Sequence, residues 1–220
     1  MTRPIAGFSL GWIFDTVPNT LCNISRFLRQ SSTDAAELCL NSVRLRHLLL
    51  FWNQELETSL ASFDYFSIHL PEVNWIEKDQ LTREVIRCVS FLFSSSSFSF
   101  PSSCAPFKVL VVHPDTIEDW YFLARCNRDK LGGRIAIEFP MDKDKKSGKT
   151  LDELKKIYYD FPTFGFVLDV QHAYENDPTG NLAIEAAKLM GCRLRHLHVS
   201  GQKQRPEGLS RHSFLYEADN

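Results

Sequence analysis

The 220-residue chain contains no C-x-x-C and no G-x-G-x-x-G, and its apolar runs all fall short of the ~18 residues a membrane span needs. Each absence excludes something. Six cysteines, Cys22, Cys39, Cys88, Cys104, Cys126 and Cys192, are scattered singly, which excludes a zinc knuckle and argues for reduced thiols over a disulfide framework. A formal net charge of −2 provides no general basic field for a nucleic-acid partner. The start, "MTRPIAGFSLGWIFD", is a poor signal peptide because Asp15 and Pro18 close its apolar patch. A cytoplasmic protein that does not enter membranes is the expectation. With 44% hydrophobic residues the chain has enough apolar material for a sizeable core, and residues 1–220 are expected to form one domain.

What is present is alternation. Seven short apolar runs have strand length: "PIAGFSLGW", "DAAELCLN", "FDYFSIHLP", "FKVLVVHP", "GRIAIEFP", "FGFVLDVQH" and "RLRHLHVSG". Helical spacing lies between them. Leu45, Leu48, Leu49, Trp52, Leu56 and Leu60 form one stripe, and Leu81, Val85, Val89 and Leu92 form another. Thr116-Ile117-Glu118-Asp119 and Thr150-Leu151-Asp152-Glu153 resemble helix starts, with a hydroxyl cap and an acid three residues on. After the second start, Leu154, Ile157, Tyr158 and Phe161 share a side, and Gly191 closes a helix over 182–190. Strand alternating with helix predicts an α/β fold with a parallel sheet. The only paired glycines, Gly132-Gly133, precede a strand, so a dinucleotide-binding sheet is disfavoured against a closed β/α barrel.

The strand ends support the same choice. His69, His113, Glu138, Asp169 and His198 end successive strands at separations of 44, 25, 31 and 29 residues. A β/α unit occupies roughly 30 residues. The long first interval contains the Ser-rich stretch 94–103, read as an insertion or loop. In a TIM (β/α) barrel such ends converge on one mouth. Three imidazoles and two carboxylates meeting there would suit a divalent metal, Mn, Zn, Co or Mg, which would also relieve the repulsion between Glu138 and Asp169. Each residue has a plainer reading: the histidines as hydrogen-bonded turn residues, Glu138 as half of a buried ion pair with Arg or Lys, and Asp169 as a helix cap. His196 shares a face with His198 by period 2 and is read as a core imidazole or a support for the ligands. Lys143, Lys145, Lys146 and Lys149 read as a solvated loop, or as contacts for a substrate phosphate.

The ordered pieces "ELCLN", "IHLP", "VVHP", "IAIEFP", "LDVQHA", "HLHVSG" and the "RH" at 211–212 give the chain a resemblance, over residues 4–212, to the xylose-isomerase-like TIM barrels. That family includes sugar-phosphate isomerases and epimerases and endonuclease IV. The resemblance implies metal binding by Glu138, Asp169 and His198, with His69, His113, His172 and His212 matching further ligands of the endonuclease branch. It implies acid/base work for Glu138, with Glu37 as a candidate for substrate contact; Lys203 and Arg205, after the seventh strand, lie where barrels often bind phosphate and are candidates for a phosphate contact. Only nineteen residues follow "HLHVSG" up to Asn220, too few for a normal eighth unit. Either "RHSFLYEAD" is a strand carrying Glu217 as the second acid/base, or the barrel is incomplete and a homo-oligomer covers its open edges. The expected activity is isomerisation or epimerisation of a sugar or sugar phosphate. The alternatives are an abasic-site DNA nuclease, against which Ser210 replaces an acid before "RH", and a non-catalytic binding or assembly module.

Overall fold

All seven apolar runs contain a β-strand in the computed structural model, which describes residues 7–9, 34–40, 63–94, 109–140, 145–205 and 208–213. The described chain divides into two compact units, one reaching Val112 and including Thr116–Ile135, the other joining His113–Asp115 to the chain from Ala136 onward. The stripe at 45–60 lies outside the described residues, as do 95–103 of the Ser-rich stretch.

In the first unit, β1 (Gly7–Ser9), β2 (Ala35–Cys39), β3 (Tyr65–His69) and β4 (Val109–Val112) are parallel neighbours in chain order. Leu38, Phe66, Ile68 and all four residues of β4 are buried. Burial of consecutive residues is what a parallel sheet covered on both faces demands, and it explains why "VLVV" shows no alternation. Helix α1 (Gln80–Ser94) turns Val85, Ile86 and Val89 inward, as the apolar stripe predicts. Helix α2 (Trp120–Asp129) starts later than the Thr116 cap predicts. Pro114–Thr116 is a 3-10 turn instead. The Thr116 carbonyl accepts from Trp75 N at 2.9 Å and Asp119 N donates to Trp75 O at 3.0 Å, so the backbone at Trp75 takes the groups a helix starting at Thr116 would use. Asp119 then caps the helix, accepting from Phe122 N at 2.8 Å.

In the second unit, β5 (Ile135–Phe139), β6 (Gly165–Asp169) and β7 (Leu194–His198) are again parallel and in chain order. Helix α3 (Leu151–Asp160) begins on the expected Thr150/Glu153 capping box and buries Leu154 and Ile157. Helix α4 (Val170–Asn176) follows β6 with no intervening loop, and α5 (Asn181–Met190) ends at Gly191, whose φ of 50° suits a residue without Cβ. "QHAYEN" is therefore helical, where the sequence suggested a strand running on to His172.

The TIM barrel expected from the sequence is not formed. The parallel β/α alternation stops at β7. Gly201–Arg205 (β8) and Gly208–Ser213 (β9) pair with each other as an antiparallel hairpin. The reason is the short connection after β7. A parallel return needs a crossover of a dozen or more residues, and only Val199 and Ser200 separate β7 from β8. The architecture is α/β, with parallel strands in both units and a hairpin where an eighth unit was sought. Among the described residues no helix is long and apolar enough to cross a membrane. Among the described residues, Cys39, Cys88, Cys126 and Cys192 are free thiols.

One side chain ties the second unit together. The Arg193 guanidinium donates to the Tyr158, Phe161 and Phe164 carbonyls at 2.7, 3.0 and 2.9 Å, and lies 4.1 Å over the Tyr158 ring. It thus satisfies the C-terminal carbonyls of α3 and the turn into β6 at once. Arg193→Ala should lower unfolding free energy in urea by about 2 kcal/mol. Arg193→Lys should recover only part of that loss, because one ammonium group cannot span the three acceptors.

Candidate metal centre

Register places the acids. Glu138 pairs with Val167, and Val167 pairs with His196; two residues on, Asp169 pairs with His198. Side chains two apart in a strand share a face, so Glu138, Asp169, His196 and His198 all stand on one side of β5–β7. Glu138 is 4% exposed and Asp169 2%. One ligand atom from each of Glu138, Asp169 and His198 falls within 4.8 Å of the others.

Imidazoles hold both oxygens of Glu138. His198 Nδ1 lies 2.9 Å from Oε1 and His113 Nε2 lies 3.0 Å from Oε2. His113 reaches the carboxylate because it follows β4 directly and belongs to the second unit. The expected buried-pair reading of Glu138 named Arg or Lys, whereas these two partners are histidines. His196 is half-buried rather than a core residue, and its Nε2 lies 3.1 Å from His198 Nε2.

Asp169 takes the cap role considered for it. Its Oδ1 accepts from His172 N at 2.8 Å and caps α4, while Oδ2 lies 4.0 Å from His172 Nε2. Burial pushes the Asp169 carboxyl above its ordinary range, and the nearby Glu138 charge pushes it further. The His172 and His198 imidazoles oppose that rise. Two buried acids with imidazole nitrogens beside them form a donor set that fits a divalent cation, since hard oxygen and neutral nitrogen are the ligands of Zn, Mn and Co sites.

Four residues around the acids escaped the sequence reading or were misplaced by it. His172 lies on a helix and not at the end of a strand, with its Nδ1 3.3 Å from Glu175 Oε2. Glu175 Oε1 accepts from Gln171 Nε2 at 3.0 Å, and Gln171 Oε1 accepts from the Ser200 hydroxyl. The i, i+3 and i, i+4 spacings of His172, Gln171 and Glu175 would have revealed the group had the segment after Asp169 been read with helical period.

Glu37 is buried in the first unit, where its Oε2 accepts from Ser67 Oγ at 2.9 Å. His69 ends β3 in that same unit, half-buried. Lys203 and Arg205 lie on β8 and His212 on β9. Glu217 and Lys143 lie outside the described residues. Lys145 pairs with Asp115 at 3.4 Å, so one of the loop lysines has a fixed anionic partner. No protein-family model matches the chain, and no characterised protein matches it in sequence.

The raised Asp169 carboxyl has a sign that can be worked out. The folded metal-free protein holds this proton more tightly than the unfolded chain does. Its contribution therefore falls as pH rises from the ordinary aspartate value through the raised one, and is level above that. Asp169→Asn keeps a capping side chain and removes the charge. The difference in thermal midpoint, variant minus wild type, should grow over that interval and then hold constant. A difference independent of pH would contradict the assigned cause.

Proposed function

We propose that the protein is a metal-dependent isomerase or epimerase of a sugar or sugar phosphate, working at Glu138, Asp169 and His198. The observation that carries this reading is the convergence of these three side chains, two of them buried acids, within ligand distance of one cation. Mn, Zn, Co and Mg are the candidate metals. When bound, such an ion supplies Lewis-acid polarisation of a substrate carbonyl or hydroxyl oxygen.

The chain's own residues supply the rest. Glu138 is the acid/base: it takes a proton from the carbon beside the carbonyl and returns it to the neighbouring carbon for isomerisation, whereas epimerisation would need a second acid/base on the opposite face of the substrate. His113 and His198 aim its two oxygens, so the carboxylate does not have to be ordered during the reaction. Asp169, fixed by its cap bond to His172 N, carries the second negative charge. Lys203 and Arg205 on the hairpin after β7 are the candidates for a substrate phosphate. The resemblance to xylose-isomerase-like proteins supports this assignment of roles through the ordered strand-end motifs and not through a closed barrel.

Cutting of DNA at abasic sites is the second reading, favoured by His113 on the Glu138 oxygen that His198 leaves open. A net charge of −2 weighs against it, because DNA affinity is built mainly on phosphate neutralisation.

Metal analysis of the purified protein should find a bound divalent ion that Glu138→Gln and Asp169→Asn both lose. At a hundredfold excess over its Kd the ion should stabilise the wild type by about 2.7 kcal/mol. Glu138→Gln should lower turnover on an isomerisable sugar phosphate by about 10²–10⁴-fold. Metal content at background together with an unchanged Glu138→Gln variant would refute the proposal. Cleavage of an abasic duplex without sugar turnover would transfer it to the second reading.

A further inference from the structure

The first unit contains a cavity of about 380 Å³, lined from α1, from α2 and from the residue that follows α2. Its charged lining is Arg83, Arg87, Lys130 and Glu77, and the buried side chains of Ile86 and Phe122 form its apolar part. None of these residues has a part in the metal centre. We propose that the cavity is a binding site for a small molecule bearing a phosphate monoester or pyrophosphate group, held by Arg83, Arg87 and Lys130.

The uneven pairing of charge in this unit carries the inference. The exposed arginines of α2 have carboxylate partners. Arg125 Nη2 donates to Glu77 Oε2 at 3.0 Å, and Arg128 Nε donates to Asp129 Oδ1 at 2.7 Å. At the cavity the pattern breaks. No acid among the described residues lies within salt-bridge distance of Arg83, Arg87 or Lys130. Glu77, the one described acid in the lining, is the carboxylate that Arg125 already engages. Three cations thus surround a space whose single acid is partly neutralised.

Their placement works against the helix that carries two of them. Arg83 and Arg87 are four apart on α1, so they are neighbours on its surface, and like charges at that spacing destabilise a helix. Arg83 also closes the first turn of α1, where the helix dipole disfavours a cation. An anion seated between the two side chains reverses both effects. Arg83 is already steered by a backbone contact, its Nη1 donating to the Glu77 carbonyl at 3.3 Å, and a guanidinium has further donors for a ligand.

The donors define the ligand class. A guanidinium fork matches a pair of phosphate or carboxylate oxygens. Three cations call for a group with two or more charges, which a phosphate monoester or a pyrophosphate has and a single carboxylate lacks. Ile86 and Phe122 offer apolar surface to the organic part of such a molecule. The volume of about 380 Å³ lies within the roughly 300–1,000 Å³ of small-molecule pockets.

Calorimetric titration of the full chain with sodium pyrophosphate tests the assignment. Metal is first stripped by chelator, so that binding to a metal ion does not contribute and the outcome is independent of the metal reading. Wild type should bind one pyrophosphate per chain. Arg83→Gln and Arg87→Gln should each weaken binding about tenfold, and Lys130→Gln should weaken it in the same direction. All three side chains are exposed, so the variants should keep the thermal midpoint of the wild type. Arg128→Gln, which removes a cation already paired on α2, should bind as the wild type does. A wild-type protein that binds no pyrophosphate at millimolar concentration overturns the proposal. Equal losses in Arg87→Gln and Arg128→Gln overturn it as well, since they would mark general attraction to positive charge and not a site.

Discussion

Two carboxylates confined in a protein interior set the terms for everything around them. Glu138 and Asp169 are almost fully buried at the ends of neighbouring parallel strands, where an unpaired charge costs several kcal/mol. The surroundings answer that cost in a layered way. Imidazoles from His113 and His198 take the Glu138 oxygens, and a helix N-terminus takes one oxygen of Asp169. Burial still leaves Asp169 reluctant to ionise, so the hydrogen bonds alone do not offset the confinement. A divalent cation would, and this is the physical ground for treating the group as a site and not as a structural ion pair.

The scaffold is built to hold that geometry still. Arg193 locks the end of α3 to the start of β6, and β7 begins at the next residue along the chain. The strand carrying Asp169 and the strand carrying His198 are therefore anchored at their base by one guanidinium. At their other ends α4 grows directly out of β6, capped by the same aspartate that faces the imidazoles. Asp169 faces two ways: one oxygen caps a helix and the other lies 4.0 Å from His172 Nε2.

Much of this was legible in the residues. Period-2 spacing put His196 and His198 on one face, and the structure has their rings in contact. The acid in "IAIEFP" was conspicuous because an apolar run tolerates a carboxylate only with partners, and its partners came from the strand ends that the spacing singled out. The Thr150 box and the Gly191 stop are local devices, set by hydrogen bonds within a few residues, and both are present. Thr116 failed as a cap because its carbonyl is claimed by Trp75, more than forty positions earlier in the chain. No local pattern announces such a competitor. Glu175 was missed for a related reason: its relation to His172 exists only if the segment is helical, and "FGFVLDVQH" reads as strand to its end.

The order of strands, their parallel pairing and the face on which the acids stand were determined by the sequence itself, through alternation, strand length and the rarity of buried charge. Closure of the sheet into a barrel was not, because it depends on what the chain does after β7, and there two residues leave room only for a hairpin. Which carboxylate oxygen meets which imidazole nitrogen was likewise decided by tertiary structure, since register and helix start act over distances that periodicity does not reach.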